Sequence, residues 1–150
     1  MGRLRVATAL AVLLAGPACL AGCSDTAITD TRLAASVAPT FAHLWVLQQQ
    51  EQGHPHPAAA AVDARAACHR SDPAAPARGA APDWVCSVTW LVDGPGARAT
   101  ALYTVGVKTD GCYTADGDGP ASLNGSAVLA TATGTAPNPL YRFDSCFPAG

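Results

Sequence analysis

The chain has one lysine (Lys108), one glutamate (Glu51) and one isoleucine (Ile28) in 150 residues. Its nine basic residues against eleven acidic ones make no stripe that could neutralise phosphates, which argues against nucleic-acid binding. A polybasic patch for anionic headgroups is missing for the same reason. No Cys-x-x-Cys pair is present, so neither a zinc knuckle nor a thioredoxin-type redox pair is encoded. A Gly-x-Ser-x-Gly elbow, a Ser-x-x-Lys pair and a glycine-rich phosphate loop are also missing. No glutamate follows Asp116-Gly117-Asp118-Gly119, so an EF-hand would lack its bidentate ligand; turn formation accounts for those Asp-Gly pairs. Long apolar runs are absent too. Val6 to Ala15 is interrupted at Gly16-Pro17, too soon for a bilayer-spanning helix.

That short run has a different reading. Arg3 and Arg5 precede it as a positive n-region, and Leu20-Ala21-Gly22-Cys23 closes it with small residues and a cysteine. The segment resembles the lipobox of bacterial lipoproteins. The resemblance covers the leader alone. It implies a signal peptide over 1–22, lipidation of Cys23 by acyl chains such as palmitate, and anchoring to the outer side of a cell membrane. More than one acyl chain is needed for a stable hold. Removing the leader leaves 128 residues with seven basic and eleven acidic side chains, a net charge of −4. Abundant alanine, glycine, proline and arginine are what a very GC-rich genome writes, as in actinobacteria, so alanine need not mean helix here.

Six cysteines then sort themselves. Cys19 leaves with the signal and Cys23 takes lipid, so Cys68, Cys86, Cys112 and Cys146 form an even set in an exported domain. Two disulfides with three possible connectivities follow. A hairpin of 84–92 and 100–108 around Asp93-Gly94-Pro95-Gly96 places Cys86 opposite about Thr104, with Cys112 roughly 26 Å further along an extended strand. A disulfide tolerates about 7 Å between Cα atoms, which favours Cys68–Cys86 and Cys112–Cys146. Each closed loop stabilises by roughly 3 kcal/mol.

Along the chain, 23–35 reads as a flexible tether and 36–150 as a single domain. Val37, Phe41, Leu44 and Trp45 recur at helical spacing, with Ser36 as N-cap, Pro39 in the first turn and Gly53 as the stop. Ala58 to His69 reads as a second, alanine-rich helix, and 70–82 as an exposed loop. From Trp84 the period becomes two: Trp84, Cys86, Val88 and Trp90 share one face, and Ala101, Tyr103, Val105 and Val107 repeat the pattern. Further strands are expected over 112–115, 127–133 and 140–147, with a loop at 116–120. The expected fold is α+β: an N-terminal helix on a curved antiparallel sheet of four to five strands, stapled by two disulfides. In element order this looks like the small cystatin-like or NTF2-like domains, a likeness carried by no residue motif.

Functional candidates are few. Trp84, Trp90 and Tyr103 are core residues or, on an open concave sheet, the lining of a ligand or peptide site. His54 and His56 can reach one ion from an extended chain, but catalytic zinc needs a third ligand and orienting carboxylates. No cofactor is implied. The reading is a non-enzymatic, lipid-anchored envelope protein that binds a small ligand or another envelope protein. Its rivals are a metal-dependent enzyme using His54 and His56, and a structural or assembly factor.

Overall fold

A computed structural model describes residues 28–92 and 96–147. The leader, Cys19 and the proposed lipid site Cys23 lie outside the described residues. Helix α1 spans Asp30–Glu51, followed by a short 3-10 turn at Ala59–Val62. Seven strands follow: β1 (Arg65–Arg70), β2 (Ala81–Leu91), β3 (Arg98–Val107), β4 (Cys112–Gly119), β5 (Val128–Thr131), β6 (Gly134–Pro137) and β7 (Arg142–Cys146). Five of them form one antiparallel sheet in the order β1-β2-β3-β4-β7, while β5 and β6 pair as a separate ribbon. The α+β expectation of one helix on an antiparallel sheet with two disulfides therefore holds.

The helix starts six residues before Ser36. Thr29 is extended (φ −133°) and its Oγ1 accepts from the Arg32 N–H at 3.2 Å, so the cap lies there. Ser36 is instead buried inside the helix, with its hydroxyl 3.1 Å from the Tyr113 hydroxyl. Pro39 accordingly falls mid-helix on the exposed side. The cause is Leu33, which extends the stripe Val37–Phe41–Trp45 back by one turn and is fully buried. Ile28, 2% exposed, is also core, so residues 28–35 belong to the folded domain and not to a tether. At the other end Gly53 adopts φ +71°. Its N–H bonds the Gln50 carbonyl at 3.0 Å, and the His54 N–H bonds that of Gln49 at 2.9 Å. This double bond pattern around a left-handed glycine closes the helix where expected.

The second helix expected over Ala58–His69 does not form. Only the 3-10 turn at Ala59–Val62 does, buried at Val62 and ended by Asp63 at φ +48°. The chain then enters β1, because pairing with β2 brings Cys68 directly opposite Cys86. Small alanines at 66 and 67 suit an edge strand as well as a helix. In the central hairpin Cys86 faces Tyr103, one residue from the expected Thr104. Strand β4 runs on to Gly119, so the loop expected at 116–120 is mostly strand, with a register shift where Leu102 faces Gly119 and Tyr103 faces Gly117. The strand expected over 127–133 pairs with β6 rather than joining the main sheet.

One sheet face packs under α1. Trp84, Cys86, Val88, Trp90, Ala101, Tyr103, Val105, Tyr113, Ala115 and Phe143 all lie in this core. Phe41 of the helix meets Trp90 at 4.8 Å and Tyr103 at 6.2 Å between centroids, and Tyr103 meets Phe143 edge-on at 5.3 Å. Gln48, buried near the helix end, donates to the Leu123 carbonyl and to Asn138 Oδ1, both at 2.8 Å. That pair of bonds ties the segment 120–141, which carries the β5–β6 ribbon, to α1, satisfying polar groups that burial would otherwise penalise. Both disulfides join edge strands to their neighbours: Cys68–Cys86 (Cα–Cα 4.1 Å) and Cys112–Cys146 (3.8 Å). This is the expected pairing.

Candidate functional site

The sheet's other face is not covered by α1. Because side chains alternate, the neighbours of the core residues point there: Ser87 and Thr89 on β2, Leu102 and Thr104 on β3, Thr114 and Asp116 on β4, and Arg142 and Asp144 on β7. All are half-buried or exposed. A groove of about 690 Å³ opens on this face, lined by Pro82, Thr104, Gly106, Lys108, Asp116 and Arg142 among others. That volume lies within the range of small-ligand sites. Gly106 forms bare floor, since a Cβ there would meet nothing closer than Pro82 Cα at 3.9 Å.

Hydrogen bonds fix the polar lining. Thr104 Oγ1 donates to Asp118 Oδ2 at 2.6 Å and Thr114 Oγ1 donates to Asp144 Oδ1. With their protons committed, both hydroxyl oxygens are left as acceptors. Arg142 Nε lies 3.2 Å from Asp116 Oδ1, which leaves its terminal N–H groups for a ligand. Lys108 has no ion-pair partner among the described residues. The groove thus offers cationic donors at two places, hydroxyl acceptors between them and an apolar wall at Ala81-Pro82.

The sheet's corners are clamped by ion pairs. Asp63 accepts from Arg98 and from Arg65, and these two guanidiniums, Arg98 first, hold its carboxyl below the usual range. Arg70 Nε donates to Asp83 Oδ1 at 3.0 Å and lowers that carboxyl likewise. The Arg70 guanidinium also stacks over the Trp84 ring at 5.5 Å.

The residues singled out from sequence lie elsewhere. Trp84 and Tyr103 are 0% exposed and Trp90 is 2% exposed, all beneath α1 rather than on the open face. Trp84 Nε1 donates to the Gly79 carbonyl at 3.3 Å, and the Tyr103 hydroxyl donates to the Leu140 carbonyl at 3.2 Å. Burial pushes the Tyr103 phenol well up, with the Asn124 side chain a smaller opposing influence. His54 and His56 are exposed after the helix; His54 Nδ1 lies 3.2 Å from Gln49 Oε1 and His56 Nδ1 3.4 Å from the Pro57 carbonyl. Among the described residues no three His, Cys, Asp or Glu side chains gather as a metal site, and no helix is long and apolar enough to cross a membrane. Thr104, Gly106, Thr114 and Arg142 drew no attention as a site in sequence. The signal that could have found them is the polar half of the two-residue alternation, which runs through three adjacent strands. No family model, curated protein or solved structure matches the chain.

Proposed function

We propose that this protein is a lipid-anchored cell-envelope protein, attached through Cys23, that uses its open sheet face as a non-enzymatic binding surface for a small ligand or another envelope protein. The observation that carries the binding reading is the asymmetry of the sheet: one face is filled by α1, the other is left uncovered and holds the groove over Gly106. The anchor rests on the Leu20-Ala21-Gly22-Cys23 pattern, and the pairing of the four downstream cysteines with one another fits an exported chain.

Two measurements test this reading separately. Cys23→Ser should abolish acyl labelling and shift the protein out of the membrane fraction; persistent labelling overturns the anchor. A photo-crosslinking residue at Thr104 should form adducts in intact cells, whereas the same probe at exposed His43 on α1 should not. Equal yields from the two positions overturn the binding face.

A further inference from the structure

Lys108, Cys112 and Cys146 form a row at one end of the open face. Val107 pairs with Tyr113 and both are buried under α1, so the next residues outward, Lys108 and Cys112, turn to the other side of the sheet. The Lys108 N–H donates to the Cys112 carbonyl at 2.9 Å across the turn, and Cys112 pairs with Cys146 on β7. Cys146 is exposed and Cys112 half-buried. The other disulfide is placed differently: Cys86 is 0% exposed in the core and Cys68 is half-buried, so neither of its sulfur-bearing residues is exposed as Cys146 is. Adjacent cross-strand residues on one face lie within reach of a lysine side chain, and this lysine has no ion-pair partner among the described residues. Asp110 Oδ1 accepts the Cys112 N–H at 2.9 Å and Asp144 Oδ1 accepts from Thr114, and neither carboxylate pairs with Lys108.

We infer that the Cys112–Cys146 bond is a thiol–disulfide exchange site, attacked at Cys146 Sγ by an external thiolate, with Lys108 stabilising the departing Cys112 thiolate. In the step one S–S bond forms between the attacking sulfur and Cys146 Sγ, and the Cys112–Cys146 bond breaks. The electron pair of that bond leaves on Cys112 Sγ, which either takes a proton from water or returns to expel the incoming thiol. No other oxidant or reductant takes part. Exchange rates depend on access and on how well the leaving thiolate is stabilised, and a nearby cation supplies the second. The consequence falls on the groove. Strand β7, which carries Arg142, pairs within the main sheet only with β4, so opening this bond removes its one covalent tie and leaves that wall held by backbone hydrogen bonds, the Arg142–Asp116 and Thr114–Asp144 pairs, the bonds of Ser36 and Thr40 to Cys146 and Ser145, and Phe143 packing.

The test uses the purified mature chain, lipidated at Cys23 and held in detergent, in a low concentration of a small monothiol, with free thiols trapped by alkylation and mapped by mass spectrometry. Cys112 should be trapped, and Cys146 found joined to the monothiol, about tenfold or more faster than Cys68 or Cys86 reacts. Lys108→Gln should slow that opening several-fold while the circular dichroism spectrum stays that of the parent. Hydrogen exchange on the mixed disulfide should quicken in 142–146 and not in 65–70. Equal opening of the two disulfides overturns the site, and an unchanged rate in Lys108→Gln overturns the role of the lysine.

Discussion

The two faces of the five-stranded sheet are built from the same strands, yet one is packed and the other lies open. Beneath α1 lie Trp84, Val88, Trp90, Tyr103, Val105, Tyr113 and Phe143. One residue away on each strand stand Ser87, Thr104, Thr114, Asp116 and Arg142, none of them buried. Each face also carries one disulfide: Cys68–Cys86 below, with Cys86 buried and Cys68 half-buried, and Cys112–Cys146 above, with Cys146 exposed. The lesson is that the packed face and the proposed binding face are separated here by a single step along the chain. The aromatic residues that suggest a ligand site from sequence are the ones that hold the sheet to the helix.

The comparison is open to direct attack. The largest effect should come from Trp84→Ala, which removes a fully buried indole and should cost about 3–5 kcal/mol. In the same denaturant titration Thr104→Ala, on the other face, should stay within about 0.5 kcal/mol. Comparable losses would mean that the open face is structural. Two of the sheet glycines sharpen the contrast. A Cβ at Gly117 would sit 2.4 Å from the Asn124 carbonyl oxygen, and Gly117→Ala should cost about 1–3 kcal/mol by overpacking. Gly106→Ala has room and should leave the thermal midpoint nearly unchanged. The smallest effect concerns the rims. Asp63 and Asp83 have lowered pKa values in the folded state, so the stability they contribute is present above the ordinary carboxylate range. It fades below about pH 4, as acid protonates them through their lowered values. Asp83→Asn should flatten part of that acid limb; an unaltered pH profile would show that Arg70 does not stabilise the charged carboxylate.

Much of this architecture was legible because burial alternates where residue type alternates. The runs from Trp84 to Trp90 and from Ala101 to Val107 announce half-buried strands, and the chain distance from Cys86 to Cys112 ranks the disulfides. What was missed has physical causes. Leu33 lies one turn ahead of Val37 and extends the helix to Thr29, but the small polar residues around it look like linker. Residues 65–70 become a strand through pairing with β2, a long-range term that alanine-rich composition does not carry. Asp116 and Asp118 read as a turn, yet in β4 their side chains find Arg142 and Thr104 across neighbouring strands. The groove is not legible in the sequence, because threonine, glycine and proline on a sheet surface form no motif and only register brings them together.

Ile28 and Thr29 bear on where this protein can work. The fold takes hold of the chain there, with Ile28 in the core and Thr29 bridged to Arg78. With Cys23 as the proposed anchor, only residues 24–27 separate lipid from domain. Five steps of fully extended chain span at most about 18 Å. Such a leash is shorter than the domain is wide: a compact body of this size has a radius of gyration of about 13–14 Å. The protein would ride flush on the bilayer and sweep a shallow workspace. Any partner of the open face would have to come to the membrane surface to meet it.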